Sequence, residues 1–136
     1  KNSRAALTTL IKSAIKTIDI EMEYIEDEKI VSLLSDKVRN TEIRLLIPTF
    51  TQFAVNKDAA RRLVQAGVSV KTLSSPYIHA KMILIDDVKA YVGSINLSTQ
   101  SMDENRELGI MLSENESIKT LVETFSIDWN LGTQVN

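Results

Sequence analysis

The sequence predicts an α/β domain, a mixed β-sheet sandwiched between helices, and three features lead there. Short apolar runs such as Ile43–Ile47, stopped by Pro48, read as buried strands. Stretches of helical period alternate with those runs, the pattern of a sheet with helices on both faces. Finally, two strand-like segments either side of Asp86-Asp87 are close enough in sequence to pair as a hairpin, so part of the sheet is antiparallel.

Each element follows in order. Residues 3–17 place Leu7, Leu10, Ile11, Ala14 and Ile15 at helical spacing, with Asn2 or Ser3 as the cap. Ile18, Ile20 and Met22 alternate with charged residues, as a strand does. Asp27 caps a second helix carrying Ile30, Val31, Leu33, Leu34 and Val38 on one face. Ile43–Ile47 is the next strand. Asn56 opens a third helix through Leu63 and Val64, and Gly67 closes it. Val68 and Val70 begin another strand. The hairpin strands are read as Ile78–Asp86 and Ala90–Asn96, and Leu108–Leu112 as one more apolar strand. Ser113–Glu116 reads as a capping box before a last helix with Ile118, Leu121, Val122 and Phe125, near whose end Trp129 reads as packing. No repeat, low-complexity stretch or linker interrupts residues 1–136, so a single domain is expected.

Composition narrows the function classes. The 136 residues are 43% hydrophobic and 25% charged, ordinary for a globular domain. The formal net charge is −2, so the global basicity of many nucleic-acid binders is missing. There is no cysteine and only one histidine, so no metal site and no cofactor is predicted. No apolar run approaches the roughly 20 residues that span a bilayer. The chain begins at Lys1 rather than Met, which leads us to expect an excised domain or a processed piece. Compartment stays open, since secretion or membrane association through further segments is compatible with this composition.

The chemistry concentrates between His79 and Glu107. His79 and Lys81 are two apart on a strand and so share a face, and Ser94 and Asn96 are likewise two apart on the next. Paired as a hairpin, these strands crowd an imidazole, an ammonium, a hydroxyl and a carboxamide onto one end of a face that continues into Ile83, Ile85 and Val92. A phosphate diester needs such a set: Lys81 as point charge, Asn96 and Ser94 as donors, His79 as nucleophile or proton donor. Gly93 permits close backbone approach. Glu107 could fix the His79 tautomer. The bland readings are turn chemistry for Asp86-Asp87, strand packing for Gly93 and Ser94, and a solvated helix face for Lys57, Arg61 and Arg62. The acidic run Glu21–Glu28 reads as a strand end and a helix N-terminus.

His79-Ala80-Lys81 followed by four residues and then Asp86 resembles the HxKxxxxD motif of the phospholipase D superfamily. Gly93-Ser94-Ile95-Asn96 resembles its GSxN, and Asn105-Arg106-Glu107 its downstream NxE. The resemblance covers nearly the whole chain. It implies two half-sites facing across a pseudo-twofold axis, a phosphohistidine on one histidine, and proton transfer by the other. It implies catalytic roles for His79, Lys81, Asp86 and Glu107 and phosphate contacts from Lys81, Ser94 and Asn96. Asp86, at its turn, suits a structural or supporting role better than phosphate contact. With one histidine here, the second half-site comes from the same longer chain or from a homodimer. The opening residues and the strand from Ile18 look more like the C-terminal half of two-motif bacterial members. A metal-independent phosphodiesterase or phosphatidyltransferase acting on a phospholipid is favoured over a homodimeric nuclease, and a non-catalytic module completing a partner's site is the remaining alternative.

Overall fold

The structure, a computed structural model, describes residues 3–136. Helix α1 (Ser3–Lys12) leads into β1 (Thr17–Met22), then α2 (Glu28–Lys37), β2 (Glu42–Pro48), α3 (Lys57–Ala66) and β3 (Ser69–Leu73). The hairpin strands are β4 (Lys81–Ile85) and β5 (Lys89–Gly93). A single π-helical turn (Gln100–Glu104), β6 (Gly109–Leu112), the long helix α4 (Asn115–Leu131) and the two-residue β7 (Thr133–Gln134) complete the chain. The strands form one sheet in the order β6-β5-β4-β1-β2-β3-β7. β1, β2 and β3 run parallel through helical crossovers, and β4 turns antiparallel against β1, with Met22 opposite Lys81 and Ile18 opposite Ile85. The mixed sheet follows: parallel strands need crossovers, whereas strands joined by a short turn must be antiparallel.

Both faces are covered. Inward residues of β1 (Ile18, Ile20, Met22) pack with Leu7 and Ile11 of α1, Ile30 and Leu34 of α2, and Ala60 and Leu63 of α3. On the other face α4 lays Phe125 and Trp129 over Leu46, Leu73 and Met82. Phe125 and Trp129 stack at 5.7 Å, and the Arg44 guanidinium lies over both rings while its Nε meets Asp19 at 2.8 Å. Trp129 is therefore a packing residue, and a half-buried ion pair is tucked under it.

Several boundaries differ from the sequence reading. α1 stops at Lys12, so Ile15 leaves the helical face and is 76% exposed. Ser3 begins α1, while the alternative cap Asn2 lies outside the described residues. The hairpin strands are shorter than read, which leaves His79, Ser94 and Asn96 in the connecting segments beyond their ends. α4 is capped by Glu114, whose carboxylate accepts the Ser117 and Glu116 N–H groups, not by Ser113. Asn56 makes no side-chain cap on α3; it is buried and serves another segment. Asp27, by contrast, caps α2 through the Ile30 N–H at 3.0 Å, and Gly67 closes α3 with φ 112°, where a side chain would be strained.

Candidate active site

The sheet topology decides where the polar residues meet. His79 precedes β4, Ser94 follows β5, and antiparallel pairing puts both at the same end of the hairpin. That end lies beside the carboxyl end of β1, where the backbone N–H of Glu23 donates to the Ala80 carbonyl at 3.1 Å. Open α/β sheets bind ligands outside the carboxyl ends of their parallel strands, and this cluster stands at one of them.

Four side chains interlock there. Lys81, only 9% exposed, places Nζ 3.0 Å from Glu23 Oε1 and 3.0 Å from the His79 carbonyl. The same Nζ lies 3.5 and 3.4 Å from the two His79 ring nitrogens. Glu23 Oε1 is 3.6 Å from His79 Nε2, and the Tyr77 hydroxyl donates to Glu23 Oε2 at 2.9 Å. Burial pushes the Glu23 carboxyl up, but hydrogen bonds from Lys81 and Tyr77 and the nearby positive charge outweigh it and hold the group below its ordinary value. His79 itself is 77% exposed, so its imidazole faces solvent while its neighbours hold it from behind.

Ser94 and Glu107 form a second cluster. The Ser94 hydroxyl donates to Glu107 Oε1 at 2.8 Å and accepts the Leu108 N–H at 2.9 Å. Within the chain Glu107 thus reaches Ser94, and among the described residues the carboxylate beside the His79 ring is Glu23. Asn96 donates its backbone N–H to Ser101 Oγ at 2.9 Å, while its side-chain Oδ1 is buried without a hydrogen-bond partner. A buried amide oxygen left unpaired is costly. Gly93 is required sterically: the Tyr91 ring folds back over it and Gly109, and the Tyr91 hydroxyl accepts the Ile95 N–H at 3.0 Å.

Asp86 does not join either cluster. It stands at the far end of β4, on the order of 20 Å along the strand from His79. Its carboxylate accepts the backbone N–H groups of Ile15, Lys16 and Thr17 at 2.9, 2.6 and 2.8 Å, and its own N–H donates to the Thr17 carbonyl. Asp86 and Asp87 both have positive φ, 53° and 54°, a turn geometry Asp tolerates better than most residues. Burial opposes the Asp86 charge, yet the three backbone donors keep the carboxyl below its ordinary value. These backbone donors suit the structural role expected for Asp86 at its turn.

Three residues of the site were missing from the sequence reading. Glu23 and Tyr77 complete the shell around His79. Asn56, fully buried, accepts the Ile25 N–H at 2.9 Å and donates to the Glu23 carbonyl at 2.8 Å, clamping the segment that carries Glu23. A signal for Glu23 existed: it is the first residue past a strand whose inward positions are Ile18, Ile20 and Met22.

The fold and site together define an α/β domain with a mixed sheet and a histidine–lysine–carboxylate cluster at the carboxyl end of a strand. Residues 7–129 match the family described as cardiolipin synthase, PLD-like domain, and the chain belongs to it: this is a phospholipase D superfamily domain. Cardiolipin synthase 1 of Bacillus anthracis is 28% identical over 99% of this chain, and the cardiolipin synthase of Halalkalibacterium halodurans 31% identical over 93%. The chain spans only 28% and 26% of those relatives' lengths. In fold it is similar to Nuc, a phospholipase D family member from Salmonella typhimurium (TM-score 0.88, 21% identity, 98% of this chain and 90% of that one). NucT from Helicobacter pylori is also similar (TM-score 0.79, 19% identity, 98% and 93% covered).

Proposed function

We propose that this domain supplies one half of a phosphodiester-transfer site, with phospholipid as the substrate class. The observation that carries the reading is the solvent-facing His79 imidazole held between Lys81 and Glu23. In the proposed reaction a His79 nitrogen attacks phosphorus, the P–O bond to the leaving alcohol breaks, and a second histidine protonates that oxygen. Water or an acceptor alcohol then attacks the phosphohistidine, giving up its proton to the second histidine, and His79 is released. Alternatively His79 is the acid/base and its counterpart the nucleophile. Lys81 balances charge on the non-bridging oxygens, and the Ser94 and Asn96 side chains line the approach.

The chain's single histidine supports a half-site rather than a complete one. The edge strand beside Ser94 supports the same reading: Leu108 is 84% and Ile110 60% exposed, an apolar surface on which a second half-site would seat. Its source is the same longer chain or a second copy. Relatedness to cardiolipin synthases favours phospholipid, and the homodimeric nuclease is the second reading, in which a second copy supplies the missing histidine.

The chain and its full-length context are to be assayed with EDTA present on a phospholipid, a bis-aryl phosphodiester and single-stranded DNA, each beside His79→Ala. Phospholipid turnover that resists EDTA and vanishes in His79→Ala is expected. Turnover that survives His79→Ala sinks the reading, DNA cleavage alone moves it to the nuclease, and loss with EDTA refutes the metal-independent route.

A further inference from the structure

We propose that Glu23 is the positioning carboxylate of the His79–Lys81 pair. The inference rests on the phosphodiester reading above and adds a residue that the motif does not contain.

Lys81 spends two of its three N–H donors on Glu23 Oε1 and the His79 carbonyl, and its Nζ lies 3.4–3.5 Å from the imidazole nitrogens, leaving the third for a phosphate oxygen. One carboxylate oxygen therefore touches the ammonium and lies 3.6 Å from the ring, so it fixes the distance between the residue that binds charge and the residue that reacts. The second oxygen is taken by Tyr77. Hydrogen bonds to a half-buried carboxylate restrict its rotamer, and a carboxylate beside an imidazole orients the ring.

An opposing role is a carboxylate that occupies the phosphate position until substrate displaces it. The anchoring argues against displacement. Glu23 is held through its N–H to Ala80, through its carbonyl to the buried Asn56, and through its side chain to Tyr77. Both carboxylate oxygens are engaged, one by Lys81 and one by Tyr77, while the backbone bonds fix the point from which the side chain extends. The two roles also predict opposite results: removing a positioning carboxylate lowers kcat, while removing a competing anion lowers KM and raises turnover at low substrate.

His79 is the only histidine in this chain, so its ring gives one set of ¹⁵N signals. Those signals are to be recorded for the wild type, Glu23→Gln, Tyr77→Phe, and the control Glu28→Gln, which removes a surface charge paired with Arg62. Glu23→Gln is expected to shift the ring signals and Tyr77→Phe to shift them less, with the control unchanged and thermal midpoints verifying the fold. This measurement needs no turnover, so it stands even if the phosphodiester reading fails. On a bis-aryl phosphodiester, under conditions where His79→Ala shows the activity to be real, Glu23→Gln is expected to lower kcat roughly tenfold or more with KM little changed. Unshifted ring signals in folded Glu23→Gln overturn the proposal. A lower KM with undiminished kcat overturns it in favour of the competing anion.

Discussion

The two ends of the β4–β5 hairpin both carry residues of one sequence motif, and they are built in opposite ways. At the turn end, both Asp86 carboxylate oxygens are engaged by backbone N–H groups of three residues about 70 positions earlier. At the other end, the side chains of Glu23, Tyr77, His79 and Lys81 satisfy one another, His79 stays open to solvent, and nearby Asn96 keeps a buried oxygen unpaired. Backbone partners make a fixed joint; side-chain partners leave the His79 imidazole facing solvent. On the proposed reading, only the second end should respond to substrate.

The largest expected effect breaks that contrast if it fails. His79→Ala should remove turnover by about 10³-fold or more while leaving the thermal midpoint nearly unchanged, as measured by initial rates and a melting curve. Asp86→Ala should do the reverse. Losing three hydrogen bonds to a charged acceptor should cost about 2–3 kcal/mol in urea unfolding, with activity per folded molecule retained. An Asp86→Ala protein that is fully stable but dead would erase the distinction between the two ends.

Much of the fold was legible before any coordinates, and the reasons are local. Ile43–Ile47, the Asp27 cap and the Gly67 stop each depend on a few neighbouring residues, and each stands where the pattern places it. His79, Lys81, Ser94 and Asn96 were legible as a group because strand periodicity and one hairpin bring them to one end of the sheet. What escaped was non-local. Glu23 meets Lys81 across 58 residues, and Asn56 meets Glu23 across 33. Period alone cannot say that Asn56 turns inward to hold another segment, or that the apolar β6 forms an exposed edge. Ile15 looked like a core residue only while the helix was continued past Lys12.

A third carboxylate sharpens the comparison through pH. Glu21, on the α4 side of β1, is 5% exposed, and burial, followed by the neighbouring Asp128, pushes its carboxyl up to about 8. The unfolded chain releases this proton near its ordinary value of 4.5, so between about 4.5 and 8 the folded state binds more protons. This contribution to stability is therefore complete below pH 4.5 and is lost as pH rises through about 8. Glu21→Gln should remove that decline and gain on the order of a few kcal/mol at pH 9, read by urea unfolding at several pH values. Asp27 gives the opposite slope. Burial raises it, but Arg4, Thr99 and the Ile30 N–H hold it far below the usual range, so its contribution is present above pH 3.8 and is lost on acidification below it.

The smallest effect concerns Ser94. Its hydroxyl joins Glu107 to the Leu108 backbone on an exposed edge, so Ser94→Ala should cost only about 1 kcal/mol of stability. If its loss instead lowers turnover tenfold with stability kept, the Ser94–Glu107 pair belongs with His79 in the chemistry.

The Tyr91 ring lying over Gly93 and Gly109 bears on how this domain can be altered. A methyl group at either glycine would collide with the phenol, and moving the phenol would free the Ile95 amide that it holds. Library design around the His79 cluster therefore has no room at positions 93 and 109. Diversity has to come from the solvent-facing side of His79, where the ring is 77% exposed.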